Sequence, residues 1–308
     1  RESYISSVAA DIESKLPSPF DIPRVRKEIG EPSPTQIVLL QELERFNSLI
    51  KCMASSLRDL QKALTGEIAM SNNLDELANS LFVGGLPQSW RLLAPATQKT
   101  LANWMLFFQR RNAQYTQWVE EGEPIVMWLS GLHVPESYLT ALVQATCRKK
   151  GWPLDKSTLY TKVTKFTSAD QISEPPAYGC YIEGLYLEGA SWDVESSCLV
   201  RQKPKQLVVE LPVLQVIPVE GSKLKLQNTF KTPVYVTQER RNAMGVGLVF
   251  EADLDTVDHA SHWVRVLIGI LFVVVVSCQM SFWLLFAYLS FLSVSQILQS
   301  ACLVLNTA

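Results

Sequence analysis

The 308-residue chain has no excess of charge of either sign: 28 basic residues stand against 30 acidic ones, a net charge of −2. That balance supplies no field of the kind that gathers nucleic acid or anionic lipid, so no nucleic-acid role is expected. Cysteine is scarce and scattered. The six, at 52, 147, 180, 198, 278 and 302, form no C-x-x-C pair, which argues against a zinc ribbon or a disulfide framework and leaves reduced, buried thiols. Gly-Lys occurs nowhere, so there is no G-x-x-x-x-G-K-[ST] loop, and nucleotide triphosphate cannot be cradled here in the P-loop manner. A G-x-S-x-G elbow, an N-x-[ST] sequon and a basic-then-apolar leader are also missing. Starting on Arg1 rather than methionine, the sequence reads as the C-terminal piece of something longer, from a cytosolic compartment.

What is present first is helix. Residues 3–16 suit a short helix, followed by an irregular connector carrying Pro17, Pro19, Pro23 and Pro32. Ser33-Pro34 then sets a good cap before a proline at the first helical position. Leu43, Phe46, Ile50, Met53, Leu57, Leu60 and Leu64 recur at spacings of three and four, one apolar stripe on a helix of roughly eight turns closed by Gly66. Met53 and Cys52 on that helix are expected to pack rather than to bind a ligand. Three more helices follow: one capped by Asn72 with Leu74, Leu77 and Leu81 inward, one burying Leu101, Trp104, Met105 and Phe108, and one from Pro135 to a basic end before Gly151. Residues 84–87 and 122–131 read as turns.

Near residue 157 the period changes. Segments 158–166, 180–189, 205–220, 232–238 and 245–254 are short and β-branched or aromatic, separated by proline, glycine or charged turns. The expected class is therefore α+β, a helical half followed by an antiparallel sheet or small barrel.

Chemistry is thinly represented. Gly245 and Gly247 resemble part of a dinucleotide fingerprint, but Phe250 replaces the third glycine and the segment is strand-like. His259 and His262 make an H-x-x-H near Asp255 and Asp258, the one metal candidate. No third ligand follows at a defined spacing, and a solvated loop leading to a packed Trp263 is the competing and preferred reading. His133 stands alone before a helix, where a surface or capping role outweighs catalysis. Arg240, Arg241 and the run 148–150 read as solvated basic faces. No catalytic or cofactor-binding residue is assigned.

Several stretches together resemble the C-terminal region of dynein heavy chains. "VLLQELERFNSLI" (38–50), "GGLPQSW" (84–90) and "VMWLSGLHVPESYLTALVQATCRKKGWPLD" (126–155) match its helical part. "YIEGLYLEGASWD" (181–193), "LVVELPVLQVIPV" (207–219) and "TPVYVTQERR" (232–241) match its β part in the right order. The wording of 136–155 and 240–254 is most similar to the axonemal inner-arm type. The resemblance implies that residues 1–33 finish the lid of a sixth AAA+ module, that 34–156 form a helical bundle, and that 157–308 form a partial β-barrel. It implies a non-catalytic regulatory and structural part of a minus-end-directed microtubule motor of cilia or flagella. ATP and Mg would bind in upstream AAA+ modules. The implied partners are the AAA+ ring of the same heavy chain and, through the full-length protein, intermediate chains, light chains and microtubules.

One departure stands out. Residues 264–296 are an apolar run whose only charge is Arg265. Without it, "HASHW" would join "ILQSACLVLNTA" as an unbroken family-like ending. Residues 266–292, at 1.5 Å per residue, would measure roughly 40 Å as a helix, enough to cross a hydrocarbon core about 30 Å thick. Against an anchor stand Ser277, Gln279 and Ser281 at the centre and positive flanks that amount to Arg265 alone. A soluble insertion is the second reading. Translated intron is the third and preferred one: Val264-Arg265 can be encoded with a splice donor, Gln296 with an acceptor, and the Phe/Leu/Ser richness between them suits a pyrimidine tract. The tail-anchored scaffold remains the alternative function.

Overall fold

The computed structural model describes residues 1–95, 97, 99–206, 208–221, 228–236, 248–259 and 261–264. Seven α-helices are assigned among them: α1 (Glu2–Ser14), α2 (Ile22–Ile29), α3 (Pro34–Leu64), α4 (Asn72–Val83), α5 (Gln88–Arg91), α6 (Leu101–Glu120) and α7 (Pro135–Lys150). The expected α3 is present with its start as read. Ser33 accepts from the Gln36 backbone N–H and the Gln36 side chain accepts from the Ser33 N–H, a reciprocal cap that leaves two first-turn donors satisfied. Leu43, Phe46, Ile50, Met53, Leu57 and Leu60 are all buried, whereas Leu64 is only partly so.

The stripe of α3 packs on α1, α4, α6 and α7. An aromatic series joins α5, α6 and α3: Trp90, Trp104, Phe108 and Phe46 follow one another at ring separations of 6.2, 5.5 and 4.9 Å. Trp90 donates its indole N–H to Ser56 Oγ at 3.0 Å, so the buried ring keeps its polar end satisfied.

Three details of the helical reading change. The connector holds α2, whose cap is Asp21 and whose Pro23 sits in the first turn, where a missing N–H costs nothing. The cap of α4 is Ser71, with Asn72 as its first residue. Residues 126–131 are not a turn: they form strand β1 (Val126–Trp128) and a single 3₁₀ turn, Leu129–Gly131. Three residues are too few for a period to show in the sequence.

The other strands are β2 (Ser157–Val163), β3 (Cys180–Glu183), β4 (Tyr186–Glu188), β5 (Ala190–Asp193), β6 (Cys198–Arg201), β7 (Val208–Glu210), β8 (Leu214–Glu220), β9 (Thr229–Tyr235) and β10 (Leu248–Asp255). They make one four-stranded sheet in the order β1-β3-β8-β2, a second in the order β10-β9-β4-β7, and the hairpin β5-β6. Every pair is antiparallel except β1 with β3, which is parallel. The expected antiparallel sheet is thus borne out with one parallel edge, because β1 comes from the helical half and reaches β3 only after α7 and β2. A buried hydrogen bond joins the two large sheets: the Asp253 N–H of β10 donates to Thr161 Oγ1 of β2 at 2.7 Å.

The hairpin β5-β6 turns without glycine. Asp193 accepts from the Ser196 N–H at 3.2 Å and, more weakly, from Glu195, while Ser197 takes the left-handed conformation at φ 51°. Hydrogen bonds from the Ser196 side chain and backbone hold the Asp193 carboxyl below its ordinary pKa. Trp263 is fully buried and donates to Thr256 Oγ1 at 2.7 Å, as a packed tryptophan should. Residues 265–296 of the apolar run lie outside the described residues, so its three readings are carried forward. No helix among the described residues is long and apolar enough to cross a membrane.

Candidate functional site

The structure concentrates its buried polar groups where α3, α6, β1 and the start of α7 meet. Glu42 lies on α3 directly beside Leu43, and its side chain is fully buried. Both carboxylate oxygens are occupied. Oε2 accepts from Tyr115 Oη at 2.7 Å and from the His133 N–H at 2.6 Å, and Oε1 accepts from the Val134 N–H at 3.1 Å and from Arg45 at 3.1 Å.

The two backbone donors explain the arrangement. α7 begins with Pro135, and its cap residue Val134 has no side-chain acceptor. Glu42 reaches across from α3 to hold the two residues that lead into α7, and its negative charge also suits a helix N-terminus. Arg111, buried on α6, donates from Nε to the Gly131 carbonyl at 2.6 Å, holding the 3₁₀ turn on the other side. Burial draws the Arg111 guanidinium below its ordinary pKa, opposed by the nearby Tyr115 and Glu42. The Tyr115 phenol is pushed well up by burial and then by the Glu42 charge, so it stays a donor. His133 is half-buried and lowered by desolvation, with Glu42 opposing.

A few residues along, α6 completes the free edge of the first sheet. Gln114 accepts from the Trp128 N–H at 2.8 Å and donates to the Trp128 carbonyl at 3.2 Å, as a neighbouring strand would. Arg110 lies 4.2 Å over the Trp128 ring and pairs with Glu183 of β3 at 2.6 Å, while the Phe107 ring sits 5.5 Å from Trp128. Ser130 donates to the Gly184 carbonyl. A Cβ on Gly184 would lie 2.7 Å from both Ser130 Oγ and Trp128 Cδ1, so only glycine lets β3 approach so closely. At the other end, Asn47 accepts from the Phe20 N–H at 2.8 Å and donates to the Phe20 carbonyl at 2.7 Å, tying the proline-rich connector to α3.

This arrangement holds parts together: the Glu42 carboxylate accepts from four donors, and the Arg111 Nε is spent on a carbonyl. Around the cluster the cavity is about 10 Å³, too small for a substrate. The metal candidates are placed apart from it. His259 is exposed with Nδ1 2.9 Å from Ser261 Oγ, while His262 lies edge-on to the Trp263 ring at 5.0 Å. The His262 N–H donates to the His259 carbonyl at 2.9 Å, and the pair does not join a third ligand: no group of three or more His, Cys, Asp or Glu suited to a metal occurs among the described residues. Cys147, Cys180 and Cys198 are buried free thiols and Cys52 is half-buried; burial pushes the Cys180 thiol up to about 12.

Sequence reasoning assigned none of Glu42, Arg111, Gln114 and Asn47. A signal was available. Glu42 falls four residues before Phe46, and Arg111 lies three after Phe108 and four before Tyr115, so each interrupts an apolar stripe at helical spacing.

Comparison with known proteins agrees with this architecture. The family defined by the C-terminal domain of dynein heavy chains matches residues 1–268. The chain is 67% identical over 264 residues to the dynein-1-alpha heavy chain of the flagellar inner arm I1 complex of Chlamydomonas reinhardtii, covering 86% of this chain and 6% of that one. It is 63% identical over 265 residues to human dynein axonemal heavy chain 10, with the same coverage of each. It is 38% identical over 267 residues to the Chlamydomonas dynein beta chain of the flagellar outer arm, covering 85% and 6%. The protein thus spans about 6% of the length of the relatives it matches. With its helices, sheets and the residues that join them accounted for, the chain belongs to the family of C-terminal domains of dynein heavy chains.

Proposed function

We propose that this chain is the non-catalytic C-terminal regulatory and structural part of an axonemal dynein heavy chain of the inner-arm type, at work in the axoneme of a cilium or flagellum. The observation that carries the reading is the 67% identity over 264 residues to one heavy chain of a flagellar inner-arm complex, and the 63% identity to a human axonemal heavy chain. The buried clamp supports a structural role, because its charges are spent on backbone groups of the fold. In this reading residues 1–33 finish the lid of the sixth AAA+ module, 34–156 are the helical part of the domain, and the strands form a partial barrel beside it. ATP and Mg belong to upstream AAA+ modules. The domain's immediate partner is the AAA+ ring of its own heavy chain; intermediate chains, light chains and microtubules are reached through the whole protein.

The apolar run is read as translated intron. The family match ends at residue 268, after the first five residues of the run, which supports a break in the family pattern there. Transcripts that join the Trp263 codon directly to that of Ile297 are expected to predominate.

The test is where the product is found. Isolated axonemes should yield peptides of this chain from a polypeptide more than ten times its 34.6 kDa mass, given the 6% coverage of its relatives. Recovery solely as a membrane-bound product of about the 308-residue mass would instead support the tail-anchored scaffold.

A further inference from the structure

A different part of the molecule presents a modification site. The connector between α1 and α2 reads Leu16-Pro17-Ser18-Pro19-Phe20, and Ser18 is exposed. Its flanking prolines keep the backbone out of helix and leave two residues without N–H groups, so the segment is held extended without being built into a ladder. Ser18 lies at a groove of about 650 Å³ between the end of α1 and the outer face of α3, also lined by Lys51, Ser55 and Arg58. Lys51 and Arg58 are seven residues apart on α3, two turns along one face. Neither forms an ion pair among the described residues; Arg58 Nε is bonded to the Ala54 carbonyl. Glu13 is the one carboxylate lining the groove, so two cations stand against one anion.

We propose that Ser18 is a phosphoacceptor for a proline-directed serine/threonine kinase, and that Lys51 and Arg58 hold the phosphate it receives. In the transfer, Ser18 Oγ attacks the γ-phosphorus of ATP and the bond to the bridging β–γ oxygen breaks. ADP leaves, and the hydroxyl proton passes to the kinase base. The product carries about −1.5 to −2 charge and three acceptor oxygens, which satisfies both cations and ties the connector to α3 by charge-assisted hydrogen bonds. The tie adds to the one already made at Phe20 by Asn47. Ser33-Pro34, the other Ser-Pro pair, differs: the Ser33 hydroxyl is the cap of α3 and is bonded to the Gln36 N–H.

The experiment treats the full-length heavy chain with such a kinase and ATP, maps phosphate by mass spectrometry and follows hydrogen exchange across residues 15–21. Phosphate is expected on Ser18, with exchange of the Ser18 and Phe20 amides slowed roughly threefold or more by the new bonds. In a Lys51→Ala/Arg58→Ala variant, phosphorylation should proceed and the slowing should vanish. The same loss should follow in the unsubstituted protein at about 1 M salt, where the Debye length falls to about 3 Å. Absence of phosphate on Ser18, phosphorylation without slower exchange, or slowing that survives both the substitutions and the salt would each overturn the proposal.

Discussion

Replacing Glu42 with alanine is expected to lower the unfolding free energy by about 3–5 kcal/mol, the loss typical of breaking a buried charged network from one side. The carboxylate receives the Tyr115 hydroxyl, the His133 and Val134 N–H groups and Arg45, and the buried Arg111 stands near it. Truncation takes the acceptor from two half-buried backbone donors and leaves the buried phenol only the Gly131 carbonyl at 3.5 Å, and each orphan buried donor costs about 1–3 kcal/mol. The residues leading into α7 also lose their tie to α3. Glu42→Gln should fall between, because one oxygen is kept while the other position becomes a donor facing donors. Against these, removing the exposed Arg24–Glu28 pair on α2 should change stability by less than about 1 kcal/mol. Urea unfolding followed by circular dichroism reads all three, and a loss below about 1 kcal/mol for Glu42→Ala would mean that the clamp does not hold α7.

Gly179→Ala should cost about 3 kcal/mol or more through a different cause, backbone collision rather than lost bonds. Gly179 has φ +73°, where a side chain is strained, and a Cβ there would lie 1.9 Å from the Val216 carbonyl oxygen and 2.9 Å from Ile217 Cα. Those atoms belong to β8, the strand flanked by β2 and β3, so neither can give way alone. The adjacent Cys180 is paired with Val216, and displacing the carbonyl breaks that register. Gly221→Ala is the matched control. A Cβ there meets its nearest atom, the Lys156 carbonyl oxygen, at 3.4 Å and has no such strain. Comparison of the two unfolding midpoints checks the claim; equal midpoints would contradict it.

The elements that the sequence made legible are those whose burial repeats over several turns or strands. α3 was readable because its apolar stripe persists from Leu43 to Leu60 and its start carries Ser33-Pro34 and Gln36. β1 was not, since Val126–Trp128 is completed by a parallel partner more than fifty residues on and by the amide of Gln114. The hairpin β5-β6 escaped notice for want of Gly or Asn at its turn; Asp193 and Ser197 shape the turn instead. The buried clamp was visible only as a fault in a pattern. Glu42 and Arg111 look like ordinary helical charges until the fold brings the His133–Val134 backbone against the one and the Gly131 carbonyl against the other. His259 and His262 drew attention because two histidines at helical spacing are easy to see in a sequence, whereas ligation needs convergence, which spacing alone does not provide. Family membership was legible in whole phrases such as "YIEGLYLEGASWD", a kind of information that periodicity does not carry.

The proposal that this region shapes a motor without performing its chemistry is tested most directly by ATP turnover and microtubule gliding of the full-length heavy chain and of the same polypeptide ending after residue 33. The account predicts that the shortened form still hydrolyses ATP while its gliding velocity or force changes, and that the 308-residue chain alone shows no turnover above buffer. Saturable ATP hydrolysis by the 308-residue chain itself would contradict it.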